Sequence, residues 1–225
     1  MHKIGMITVG QSPREDILRV MQDHLPQEVE VLQRGALDGL DLSAVAELQP
    51  EGGQSVLVTR MRDGTEVQVA RQKILSLMQE GIDALLEEGV EFVVLLCTGE
   101  FRELQAGSRV LHPGEILRAL IAALARGARL GVIVPSARQI SWARERWAGC
   151  DVVVTSASPY AEPGLRLGEW RRAAGELEAS DVDLVYLDCM GMDEETKRIV
   201  HQETGKPVIL ASSVVARIVD ELIGV

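Results

Sequence analysis

The chain has 225 residues, 46% of them hydrophobic, enough for one large α/β domain or two small lobes whose core needs no metal or disulfide. Lys and Arg number 23 against 34 Asp and Glu, a net charge of −11 spread over predicted helix faces, so a nucleic-acid backbone would be repelled. No apolar run approaches the roughly 20 residues of a spanning helix, and residues 1–16 lack a signal peptide's apolar core and cleavage site; a cytoplasmic protein with reduced thiols and no membrane partner is expected.

Lys3 to Val9 is mostly apolar and reads as a central strand, followed by the turn Gly10-Gln11-Ser12-Pro13-Arg14. A helix is predicted from Pro13 to His24, with Ser12 as N-cap and Glu15 and Asp16 in its first turn. Val29 to Arg34 is a short strand, and Gly35 to Gly53 a loop containing a short helix around Ser43 to Leu48. Ser55 to Met61 and Thr65 to Ala70 alternate as β-formers around Asp63-Gly64, a strong hairpin signal. The helix Arg71 to Glu88 ends at Gly89 and leads into the strand that carries Cys97.

Thr98 to Gly114, with little periodicity, reads as a long loop over the site. Then follow a helix from Ile116 to Ala125, a buried strand from Arg129 to Pro135, a helix from Ser136 to Trp147 capped by Ser136, and a strand from Asp151 to Ser156. Gly164 to Glu178 is helical and Asp183 to Asp188 is the strand before Cys189. The helix Glu194 to Glu203, the strand Pro207 to Ala211 and the helix Ser212 to Ile223 close the chain. Strands alternating with helices imply parallel βαβ units, in two similar halves split near Ala128.

Two stretches, EFVVLLCTGEF from Glu91 and DLVYLDCMGM from Asp183, each deliver a cysteine to a glycine-containing turn at a predicted strand end, where open α/β sheets bind ligands. A thiolate on one face of a Cα–H and a thiol on the other can invert a stereocentre. An unperturbed thiol, with pKa about 8.5, needs help to ionise at neutral pH. Backbone N–H groups around Gly99 and Gly191 and the helix starting near Asp193 are candidate donors; Asp188 either disfavours the Cys189 thiolate or acts as a secondary base. The competing reading is that each cysteine is a small buried core residue. Cys150 precedes its strand and reads as structural.

His2, His24, His112 and His201 are scattered with no metal-ligand spacing, and no glycine-rich phosphate loop or GxSxG elbow occurs, so neither a metal nor a cofactor is expected.

The segments ITVGQSPRED, LLCTGEF, GVIVP and LDCMGM, in that order over the whole chain, resemble the AroM family, itself similar to the aspartate/glutamate/hydantoin racemase superfamily. LDCMGM followed by GKPVIL looks like the hydantoin racemase pattern, and Cys97-Thr98 like the superfamily's first cysteine and its small polar neighbour. The resemblance implies an α/β fold of two pseudo-symmetric lobes, 1–127 and 128–225, each a mostly parallel sheet flanked by helices. A β-hairpin is inserted near 55–70, the C-terminal helix can cross over, and the active site occupies the cleft between the lobes. It further implies no cofactor and a thiol pair, Cys97 and Cys189, acting next to a carboxylate or carbonyl.

By position, Gly10, Gln11 and Ser12 would hold a substrate carboxylate or amide, whereas the superfamily often has Asp or Asn there. Arg14 either reaches the cleft or is a solvated helix residue. Thr98 binds substrate or ends a strand, Gly99, Asp188 and Gly191 border the thiols, and Met190 replaces the usual small or hydroxyl residue. Glu100 is a polar lip residue or a partner for a substrate amine. The hairpin reads as a cover or a contact in a homo-oligomer. Three functions are open: a cofactor-independent racemase or epimerase of a small amino-acid-like or hydantoin-like substrate, a cysteine-dependent decarboxylase or cis–trans isomerase of a dicarboxylate, or a non-enzymatic metabolite-binding protein.

Overall fold

A computed structural model describes residues 2–26, 28–105 and 107–224. The chain divides into two compact units, Met1–Glu115 with Val215–Val225, and Ile116–Val214.

The first unit is built on a four-stranded sheet, β1 (His2–Thr8), β2 (Val29–Gly35), β5 (Val93–Leu95) and β6 (Val110–Leu111), in the order β2-β1-β5-β6. All of its neighbours run parallel. Parallel strands covered on both faces need continuous apolar runs, and β1 from Ile4 onward and all of β5 are buried. Helix α1 (Glu15–Gln22) buries Ile17 and Met21, and α3 (Leu75–Glu87) buries Met78, Ile82 and Leu85 at helical spacing. A short α2 (Leu42–Ala46) is capped by Asp41, and β3 (Val56–Arg60) pairs antiparallel with β4 (Glu66–Ala70). Gly64, at φ +95°, takes the turn between them that a side chain would strain.

The second unit repeats the plan. Helix α4 (Pro113–Leu124) leads into β7 (Arg129–Val134), α5 (Ile140–Arg146), β8 (Asp151–Ser156), α6 (Pro163–Ala179), β9 (Leu184–Leu187), α7 (Glu194–Thr204), β10 (Val208–Leu210) and α8 (Ala211–Ile223). The sheet order is β10-β9-β7-β8, again parallel. In both sheets the unit's first strand is central, flanked by its second and third, with the fourth outside the third. The equivalence extends to single residues. Gly5 of β1 and Gly131 of β7 sit at corresponding positions, and each lies against a helix leucine, Leu85 of α3 and Leu177 of α6.

Several expectations are corrected. Helix α1 starts at Glu15 with Arg14 as its N-cap residue, because the Ser12 hydroxyl is taken by Asp38 and the Arg14 N–H by the Gln33 side chain. The Ser12–Pro13 peptide is cis. Residues 98–114 are not one long loop: a 3₁₀ turn at Gly107–Arg109 feeds β6, a two-residue edge strand too short to show periodicity. Helices expected from Arg71 and Ser136 open with 3₁₀ turns, Arg71–Ile74 and Ala137–Gln139, the second capped by Ser136. The turn at Gly127-Ala128 separates α4 from β7, while the unit boundary falls within α4 and again within α8.

A Cβ on Gly131 would lie 3.0 Å from Leu177, and one on Gly5 would lie 3.1 Å from Leu85. Gly131→Val and Gly5→Val are therefore each expected to overpack the sheet–helix contact and cost about 1–3 kcal/mol in urea denaturation. A neutral result at both positions would show that the helices shift without penalty.

Candidate active site

Each third strand ends in the same way. Past β5, the Leu96 N–H donates to the Ile7 carbonyl at 2.8 Å, and past β9 the Asp188 N–H donates to the Ile133 carbonyl at 3.0 Å. Ile7 and Ile133 each stand two residues after the equivalent glycines of β1 and β7. The next residue is the cysteine. The Cys97 sulfur accepts the Gly99 N–H at 3.4 Å and the Cys189 sulfur accepts the Gly191 N–H at 3.4 Å. Hydrogen bonds of this kind favour a thiolate over a thiol.

In the first unit the Cys97 turn is held from several sides. A Cβ at Gly114, in the first turn of α4, would collide with the Gly99 carbonyl oxygen and lie 2.7 Å from that of Thr98. Arg71 donates from Nε to the Glu100 carbonyl at 2.6 Å, pairs with Glu103 and stacks on Phe101 at 5.6 Å. Thr98 is buried, Cys97 packs partly against the apolar core, and Glu100 is half-buried beside Arg102 at 3.6 Å.

The loop after β1 is fastened within its own unit. Gly10 admits no side chain, because a Cβ would meet Thr59 Oγ1 and the Arg60 carbonyl of the hairpin. The Gln11 carboxamide donates to the carbonyls of Leu37 (3.1 Å) and Leu40 (2.8 Å) and accepts the Arg62 N–H (2.8 Å). Ser12 gives both its N–H and its hydroxyl to Asp38, at 2.8 and 2.6 Å. Arg14 is 2% exposed, so it is no solvated helix residue; its guanidinium makes a two-point contact with Asp16 at 2.8–2.9 Å. Arg60 approaches the same carboxylate at 3.3 Å. Burial raises the Asp16 pKa, but the Arg14 hydrogen bond and the charges of Arg14 and Arg60 outweigh it and hold the carboxyl below its ordinary value.

The second unit surrounds Cys189 differently. Asp188 is paired with Arg146 at 3.3 Å, the two side chains 2% and 3% exposed, and the guanidinium lies over the rings of Trp142 and Trp147. Tyr186 is fully buried; burial first, then the Asp188 charge, push its hydroxyl well above its ordinary pKa against the opposing Arg146. Met190 is buried, and a Cβ at Gly191 would occupy the position of the Tyr160 hydroxyl. The start of α7 is not an open dipole. Asp193 caps it through the Thr196 N–H at 2.8 Å, Glu194 and Glu195 fill the first turn, and Arg166 binds Asp193 at 2.8 Å.

Tyr160, Arg146 and Asp38 were not singled out from the sequence. Each reaches its partner over 26 to 42 residues, and no local pattern announces such contacts. Among the described residues no group of three or more His, Cys, Asp or Glu is placed to hold a metal ion, and no helix is long and apolar enough to cross a membrane.

Two α/β units with parallel sheets flanked by helices match the fold of solved aspartate and allantoin racemases. An allantoin racemase from Klebsiella pneumoniae superposes with TM-score 0.64 at 19% identity, covering 99% of this chain and 88% of that one. Picrophilus torridus aspartate racemase gives 0.61 at 13% identity over 100% and 95% of the two chains, and an arylmalonate decarboxylase 0.52 at 17% over 98% and 90%. No curated protein matches the chain. The AroM protein family matches residues 4–223, and the chain belongs to that family.

Two stability predictions follow from these ion pairs. Because Asp16 has a lowered pKa when folded, its contribution is fully present above its unfolded pKa of about 3.9 and is lost as pH falls through the folded value. The stability gap between the wild type and Asp16→Asn should thus hold steady from neutral pH to about pH 4 and narrow below it; a gap unchanged into strong acid contradicts the assignment. Arg146→Met should cost about 3 kcal/mol by leaving the buried Asp188 charge poorly compensated, and adding Asp188→Asn should recover part of that loss. Additive costs in this double-mutant cycle would mean that the pair is not coupled.

Proposed function

We propose that this protein is a cofactor-independent racemase or epimerase of a small amino-acid-like or hydantoin-like substrate, with Cys97 and Cys189 as its two acid/base groups. The observation that carries the reading is the matched placement of the thiols. Each stands two residues past the third strand of its sheet, with a glycine N–H 3.4 Å from its sulfur. The proposed step is balanced in protons. One cysteine, as thiolate, takes the proton from the carbon next to a carboxylate or carbonyl, leaving the electron pair delocalised onto oxygen. The other, as thiol, returns a proton to the opposite face, so the product leaves with the two protonation states exchanged.

In this reading the main chain of Thr98, Gly99, Met190 and Gly191 contacts the substrate. Glu100 stands at the rim, and Gln11, Ser12 and Arg14 support the first loop. Tyr160 fixes the turn at Gly191. Asp188 acts through Arg146: the guanidinium balances the carboxylate beside Cys189, which alone would disfavour a thiolate.

A second reading draws on an inequality between the two thiols. The residue before Cys189 is a buried, ion-paired Asp188, whereas the residue before Cys97 is the apolar Leu96. Chemistry through a single cysteine, as in a decarboxylase or cis–trans isomerase of a dicarboxylate, would use such unequal neighbours, and an arylmalonate decarboxylase shares the fold.

Candidate enantiomers incubated in deuterated water separate the two. For the racemase, optical rotation decays with α-deuterium incorporation, and Cys97→Ser and Cys189→Ser each lower the rate by about 10²-fold or more. If one of these variants keeps near-full turnover, the single-cysteine reading takes over. If a broad panel gives neither exchange nor turnover with intact thiols, both enzymatic readings fall.

A further inference from the structure

The second unit contains a cavity of about 640 Å³ at the edge where its strands begin, bordered by Arg129 and Asp151 at the starts of β7 and β8 and by Asp183 just before β9. Cys189 follows the opposite, strand-ending edge of the same sheet. The volume is that of a small-molecule site. Its lining is unusual for a chain of net charge −11: four arginines, at 118, 126, 129 and 146, stand against the two carboxylates of Asp151 and Asp183.

These cations are not equally committed. Arg129 lies 3.6 Å from Asp151 and donates to the Ser180 carbonyl at 2.9 Å, and Asp183 accepts the Arg129 backbone N–H at 2.7 Å. Arg146 is paired with Asp188. Arg118 and Arg126 are exposed and make no ion pair or side-chain hydrogen bond among the described residues. Trp147 also lines the cavity and is 2% exposed. Guanidinium forks carry only donors, and the exposed pair at Arg118 and Arg126 suits an oxyanion with several acceptor oxygens.

Arg146 links this cavity to the thiol. It is the last residue of α5 and so lies toward the strand-starting edge, but helix side chains lean toward their own N-terminus, and its guanidinium reaches back to Asp188 beside Cys189. We propose that the cavity is an effector site for a small multivalent oxyanion, a phosphate or a polycarboxylate, held by Arg118 and Arg126, and that Arg146 transmits its occupancy to Asp188 and Cys189. An anion in the cavity adds negative potential on the Arg146 side of the Arg146–Asp188 pair and offsets part of the charge that balances Asp188, which disfavours the Cys189 thiolate.

The significance of Cys189 rests on the two-thiol reading, but the test does not, because it reads thiol alkylation rather than turnover. Cys150 lines the cavity and becomes the sole thiol in Cys97→Ser/Cys189→Ser protein. Saturating pyrophosphate or citrate should slow its alkylation by iodoacetamide about tenfold, sodium chloride at equal ionic strength should not, and Arg118→Gln with Arg126→Gln should abolish the protection. Whichever of the two probes protects at lower concentration identifies phosphate or carboxylate as the preferred group. In Cys97→Ser/Cys150→Ser protein the same probe should slow alkylation of Cys189, the thiolate being the reacting form. Absence of protection at Cys150, or protection that survives loss of both arginines, overturns the site. Protection at Cys150 with an unchanged or faster Cys189 overturns the link through Arg146.

Discussion

The organisation of each unit depends on one hydrogen bond, the last rung between its third strand and its central strand. Leu96 to Ile7 and Asp188 to Ile133 fix where the chain leaves the sheet, and the cysteine is in each case the first residue beyond that rung. A chain released there must turn at once, and the glycine two residues on lets the backbone fold back until its N–H meets the sulfur. The tight approach extends outward, since Gly191 is filled by the Tyr160 hydroxyl and Gly114 is pressed against the carbonyls of the Cys97 turn. Five glycines therefore shape these turns and strands: Gly99 and Gly191 supply N–H donors, Gly191 also making room for a tyrosine, Gly114 packs on the Cys97 turn, and Gly5 and Gly131 let helices close on the central strands.

The two units are alike in backbone and unlike in charge. Where the first places Leu96 after its strand, the second places Asp188, and a carboxylate this deeply buried requires compensation. Arg146 supplies it from α5, and the guanidinium is in turn seated on Trp142 and Trp147, so one acid just past the strand dictates the character of a neighbouring helix end. The nearby helix α7 does not substitute for it. Asp193, Glu194 and Glu195 occupy the start of that helix, leaving local N–H groups and the Arg146 charge as the electrostatic resources described around Cys189.

Much of this was legible in the sequence for physical reasons. Buried parallel strands must be apolar throughout, so β1, β5, β7 and β9 stood out; Asp63-Gly64 named its hairpin; and a cysteine followed by a glycine within two residues marked both turns. What escaped reading depends on distance or brevity. A two-residue strand such as β6 has no period, and Ser12 looks like an N-cap until Asp38, 26 residues on, takes its hydroxyl. The partners Arg146 and Tyr160 come from other elements and reach Asp188 and Gly191 through space alone.

The first loop shows how an internal polar ledger redirects a functional reading. Gln11 and Ser12 have the chemistry to bind a carboxylate or amide, but the Gln11 carboxamide already holds Leu37, Leu40 and Arg62, and Ser12 already holds Asp38. Recruiting either to a ligand would break bonds that tie the hairpin and the β2 loop to the turn after β1, leaving buried polar groups without partners at about 1–3 kcal/mol each. Such a loop is better suited to rigidity than to recognition. Under the proposed function, specificity in the first unit would fall to the Cys97–Glu100 turn, whose carbonyl at Glu100 is pinned by Arg71. The hairpin, an antiparallel element in a parallel fold, acts there as the clamp that keeps the first loop closed.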